Sequence, residues 1–179
     1  MNITIHRRFG GVDRIEQRIR QIGEQAGLLV VRHLGGRMPV VEVVLSDRRG
    51  VVSLVQEADV ALAGGTSRHT RVLERVVTHW RERPLAGTTL TPSGALVVID
   101  SSRHRDLREL DRTLVHELTH CVQLTMPGAR EKHVNYVRQQ IGVTKHSKAD
   151  ERDYERLMDM REQQAENLES LARQLPKGH

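Results

Sequence analysis

Apolar and polar residues alternate over "NITIH", Asn2 to His6, the pattern of a short strand. The period then lengthens. Val12, Ile15, Ile19, Ile22 and Ala26 recur at helical spacing and predict an amphipathic helix closed by Gly27. Two apolar runs follow, "LLVVRHL" (Leu28–Leu34) and "VVEVVL" (Val40–Leu45). Both read as strands, with the turn material "GGRMP" between them. Val51, Leu54, Val55, Ala58 and Leu62 mark a helix over about Val51–Ala63 that stops at Gly64-Gly65. A further helix over about Arg68–Arg83 carries Val72, Val76 and Trp80 and ends at Pro84.

The clearest hairpin signal is "TTLTPSGALVVID", in which Pro92 and Gly94 turn the chain between Thr88–Leu90 and Ala95–Asp100. A long helix follows, with Ser101 or Ser102 as its expected N-cap, and it ends before Pro127-Gly128. "REKHVNYVRQQIG" predicts a short helix closed by Gly142, "TKHSKAD" a polar loop, and Asp150 to about Gln174 a long charged helix. The order predicts one α+β domain over 1–179, with a mixed α/β half at 1–100 and a helical half at 101–179.

Composition narrows the picture. Hydrophobic residues make up 37% of the 179 residues and aromatics only 2%, so the core must come from Val, Leu, Ile and Ala. So few aromatic platforms weigh against binding nucleic acid by base stacking. The net charge of +5 is spread along the chain, with no block of five or six basic residues. Nucleic acid is a possible partner that no motif supports. The single Cys121 excludes an internal disulfide and a Cys-based zinc ribbon. "MNITIHRRFGG" lacks an apolar h-region, and no apolar run approaches the ~20 residues of a membrane span. A cytoplasmic location away from the membrane is the expectation. The Gly-rich turns "FGG", "LGG" and "AGG" match neither phosphate-binding glycine pattern.

The chemistry is concentrated in "TLVHELTHCVQ", Thr113 to Gln123, which holds His116, Glu117 and His120 in the order H-E-x-x-H. Residues four apart on a helix share a face, so both imidazoles can address one metal ion. Glu117 is about 100° further round, where it can act on a metal-bound water without being a ligand. Two neutral imidazoles suit Zn²⁺, one ion per chain, with Glu117 as general base. The flanks Thr113, Leu114, Val115, Leu118, Thr119, Cys121 and Val122 are uncharged. The stripe Leu107, Leu110, Leu114, Leu118 and Cys121 can bury the helix while the histidines face a cleft.

Over roughly Thr88 to Leu175 the chain resembles the zincin metallopeptidases, on the strength of "TLVHELTHCV" and the preceding strand "ALVVID". The resemblance implies a zincin-like fold: a small mixed sheet with an edge strand before the H-E-x-x-H helix, then a helical C-terminal half. By that likeness Ala95–Ile99 would be the edge strand that aligns peptide substrate. The metzincin branch would carry Gly at 123 and His at 126. Gln123 and Met126 stand there, so the likeness is to gluzincins, whose third ligand is a Glu from a later helix. In "MREQQAENLESLA" Glu162 lies at helical spacing with Met158, Ala165 and Ala172, at the edge of the inward stripe. It is the favoured ligand, and Glu166 is the alternative. Asp159, Asp153 and Glu169 are further options.

The expected function is a zinc-dependent metallopeptidase in which Glu117 activates water for attack on a peptide or protein substrate. The rival is an inactive zincin-like module that binds a protein or nucleic-acid partner. An oxyanion stabiliser is sought first at Tyr154, then at Tyr136, His133 and His146. Cys121 reads as a small core residue. His6, His33, His69, His79 and His104 show no pairing and read as surface or core-edge residues; Trp80 reads as a core anchor.

Overall fold

The computed structural model describes residues 3–8, 10–66, 85–145 and 147–177. The helix expected over about 68–83, with Trp80, His69 and His79, lies outside the described residues, as does His146. The chain is a mixed α+β fold, with four strands and five helices among the described residues. In order these are β1 (Ile3–Arg7), α1 (Asp13–Leu34), β2 (Val41–Ser46), α2 (Arg48–Leu62), β3 (Ala86–Leu90), β4 (Ala95–Asp100), α3 (Leu107–Leu124), α4 (Ala129–Gln140) and α5 (Lys148–Leu168). A 3₁₀ turn, Glu169–Gln174, continues α5.

The sheet order is β1-β2-β4-β3. β1, β2 and β4 are parallel, with Val41 beside Ile3 and Ala95, and β3 runs antiparallel to β4, with Thr88 opposite Val97. Successive strand residues face opposite sides. Val41, Val43 and Leu45 of β2 and Ala95, Val97 and Ile99 of β4 join the core against α1 and α3. Val44, Leu96 and Val98 pack on the other face with Val51 and Val55 of α2. β4 is therefore buried at all six positions. The larger core runs from Val12 to Leu175 and so draws on both ends of the chain.

Three local expectations are corrected. Gly27 does not end the first helix, and "LLVVRHL" is not a strand. Leu29 and Val30 extend the buried stripe of Ile15, Ile19, Ile22 and Ala26 by about one more turn, and that packing outweighs the ~1 kcal/mol cost of a mid-helix glycine. α1 closes instead at Gly35, in the left-handed region (φ 72°), where its N–H donates to the Val31 carbonyl at 2.9 Å. The N-cap of α3 is neither Ser101 nor Ser102. Ser102 donates to Asp100 Oδ1 in the preceding turn, and Asp106 caps the helix by accepting from the Arg108 N–H at 2.9 Å. Finally, Ala95–Ile99 is a central strand. Among the described residues the edge beside α3 is β3, because the hairpin folds it onto the outer side of β4.

Candidate metal centre

α3 lies on the sheet through Leu110, Leu114, Leu118 and Cys121, all fully buried. That leaves His116 and His120 on the flank facing α5. Their Nε2 atoms are 3.1 Å apart, and the rings meet nearly edge to face at 77°. Glu162 of α5 completes the cluster: its Oε1 is 3.5 Å from His116 Nε2 and its Oε2 3.3 Å from His120 Nε2. These ligand atoms all lie within 4.8 Å of one another. Glu166 is exposed on α5 and outside this group. Asp153 is engaged with Arg156.

The far side of each ring is held. His116 Nδ1–H donates to Glu169 Oε1 at 3.0 Å, and His120 Nδ1–H donates to Gln123 Oε1 at 2.8 Å. The Gln123 amide is itself oriented, its Nε2 donating to the Arg161 carbonyl (3.0 Å) and to Gln164 Oε1 (2.9 Å). With both Nδ1–H groups engaged on the far side, each Nε2 is turned towards the Glu162 carboxylate, to which it donates while protonated. Burial lowers the pKa of His116, but Glu162, Glu117 and Glu169 outweigh it and raise the ring to about 9. Hydrogen bonds from the two histidines hold the Glu162 carboxyl well below the usual carboxylate range.

Glu117 is 6% exposed and faces β3, where the Thr88 hydroxyl donates to its Oε2 at 2.6 Å. The edge strand thus aims the carboxylate next to the histidine pair. The contact of Thr88 with Glu117 and the orienting role of Glu169, weighed in the sequence only as an optional ligand, were missed, since nothing in its spacing links partners 29 or 53 positions apart. Gln123 was read only as the residue that departs from the metzincin pattern.

The expected oxyanion residues are drawn elsewhere. The Tyr154 hydroxyl donates to His133 Nδ1 (3.0 Å), and His133 Nε2–H donates to Asp59 Oδ1 (2.8 Å). Thr89, facing α2 where Thr88 faces α3, also donates to Asp59. Tyr136 stacks on Tyr154 at 3.9 Å. Burial, aided by Asp59, pushes the Tyr154 phenol upward. Beside Glu162, Arg161 is buried, its Nη1 has no hydrogen-bond partner among the described residues, and burial lowers its pKa.

Cys121 is fully buried, and burial raises its thiol pKa, as a packing residue requires. His104 departs from the surface or core-edge expectation. It is 4% exposed, and its Nδ1 lies 2.8 Å from the Asp100 carbonyl and its Nε2 3.0 Å from Thr113 Oγ1. His6 pairs with Glu42 at 3.3 Å, and His33 binds the Leu29 carbonyl. No helix among the described residues is long and apolar enough to cross a membrane. Comparison with protein-family models, curated proteins and solved structures found no match.

Proposed function

We propose that the chain is a zinc-dependent peptidase of gluzincin type. The observation that carries this reading is the convergence of His116 Nε2, His120 Nε2 and both Glu162 oxygens, with Glu117 alongside and outside the cluster. Two imidazoles and one carboxylate are a donor set suited to Zn²⁺, and three protein ligands leave a position for water or substrate. The fixed Nδ1 contacts fit the same use, because they hold both rings with Nε2 towards Glu162, where a bound ion would displace the Nε2 proton. Zinc bound there would lower the pKa of a coordinated water towards about 7 and polarise the scissile carbonyl.

The chain's own residues do the rest. Glu117 takes a proton from water and passes it to the leaving amine. Thr88 holds the Glu117 carboxylate in register with the histidine pair. Gln123 and Glu169 keep the rings from rotating away. An antiparallel edge strand beside the motif supports the zincin-like reading, with β3 in place of β4 as the strand that aligns substrate.

The test is Glu117→Gln, which keeps the shape of the side chain and removes the base. With a fluorescently labelled unfolded protein as substrate, kcat should fall by ~10²–10⁴ while zinc content is unchanged. A Glu117→Gln protein that hydrolyses at the wild-type rate would refute the role given to Glu117.

A further inference from the structure

Where β3 and α3 end, the molecule carries an open cleft of about 890 Å³. It shares no lining residue with the candidate metal centre but lies next to it along both elements. Leu90, in the lining, is two residues beyond Thr88, about 7 Å along the strand. Leu124, also in the lining, is one turn beyond His120, about 6 Å along the helix. A chain running along β3 past Glu117 would enter this cleft.

The lining is basic. Arg37, Arg130 and Arg138 face it, against one carboxylate, Glu131. Two of the guanidinium groups are steadied from behind. Arg130 Nη1 donates to the Thr91 carbonyl at 3.1 Å, and Arg138 Nε donates to the Ala63 carbonyl at 3.1 Å. Each bond uses one of five N–H donors and leaves the rest of the fork for an incoming carboxylate. Among the arginines, exposed Val40 and half-buried Met38 and Met126 supply apolar surface, beside the polar Ser93, Thr125 and Asn135.

We infer that this cleft selects an acidic stretch of polypeptide, with apolar residues among its carboxylates, and presents the adjoining peptide bond to the metal centre. The inference rests on the peptidase reading for its last step only. The arginines supply charge complementarity, and the apolar surface gives contact area that a bare phosphate chain would not use. Among the described residues no aromatic side chain lines the cleft to stack on a base, which favours peptide over nucleic acid.

The test uses the full chain carrying Glu117→Gln, so that bound peptide is not consumed. Three fluorescein-labelled peptides of equal length are compared by anisotropy at low ionic strength. One is rich in Asp, Glu and Leu, one replaces the acids by Asn and Gln, and one replaces them by Lys; a DNA duplex is the fourth probe. The acidic peptide should bind roughly tenfold or more tighter than its amide counterpart. Arg37→Glu with Arg130→Glu, at two exposed positions, should abolish that preference without changing zinc content. Equal binding of the acidic and amide peptides, an unchanged preference in the double variant, or DNA displacing the acidic peptide through the same arginines would overturn it. The two readings fail separately. A chain that never holds zinc but binds acidic peptide through Arg37 and Arg130 loses the peptidase reading and keeps the cleft. A zinc peptidase with equal KM for acidic and amide substrates loses the cleft and keeps its activity.

Discussion

His116 is surrounded by Glu162, Glu117 and Glu169, which lift its pKa from 6.5 to about 9. Protons and metal therefore compete for its Nε2. In chelator-treated protein, the stability contributed by protonated His116 is complete below pH 6.5 and is lost as pH rises through about 9. The Glu162 contribution has the opposite sign: present above its ordinary 4.5, it is lost as pH falls through its lowered value. Zinc binding at pH 7.5 should release about one proton, and apparent affinity should climb with pH until it levels near 9. Calorimetry in two buffers of different ionisation enthalpy measures the release; equal heats in both would contradict it. Glu169→Ala removes the acceptor for His116 Nδ1–H and should raise the zinc Kd by ~10–100-fold in chelator competition, with the fold intact. A Kd within about twofold of the wild type would mean that Glu169 does not orient the ring.

Between elements, two buried polar ties hold the helices in place. Arg18 of α1 makes a two-pronged contact with Asp111 of α3 (2.8 and 2.5 Å) and donates to the Pro176 carbonyl (2.6 Å). Arg18 and Asp111 are only 3% and 5% exposed, so Arg18→Met would strand a buried carboxylate. A loss of ~3–5 kcal/mol is expected in urea unfolding, and adding Asp111→Leu should recover much of it. The second tie runs from Asp59 through His133 to Tyr154 and joins α2, α4 and α5. Asp59→Ala leaves His133 and Thr89 without their acceptor and should cost ~1–3 kcal/mol. Neither tie was legible in advance, since pairing across 93 or 74 positions leaves no periodic trace. The same limit explains α1: a pattern read up to Gly27 cannot see that Leu29 and Val30 pack on the helix's tertiary partners. Elements set by local chemistry were legible, as with the Pro92–Gly94 hairpin and the closing Gly142.

For the whole molecule, period and composition were enough to foresee a small α+β fold with an aliphatic core, because amphipathic stripes and turn residues act locally. The sheet order was not foreseen. Which strand of a hairpin lies outermost depends on how the parallel β1-β2-β4 unit assembles, and β4 went to the middle because it is apolar on both faces. That rearrangement puts β3, not β4, against Glu117, with the arginine-lined cleft where β3 and α3 end. That His116 and His120 share a face was readable from helical spacing, and the zincin likeness, which calls for a later Glu, singled out Glu162, which lies beside them. The claim on which the rest depends is that His116, His120 and Glu162 hold a zinc ion. Metal analysis of the purified full chain after dialysis against micromolar zinc tests it most directly. About one zinc per chain should remain in the wild type and in Glu166→Gln, and be lost in His116→Ala and Glu162→Ala. A wild-type chain free of zinc, or a Glu162→Ala chain that retains it, would contradict the proposed centre.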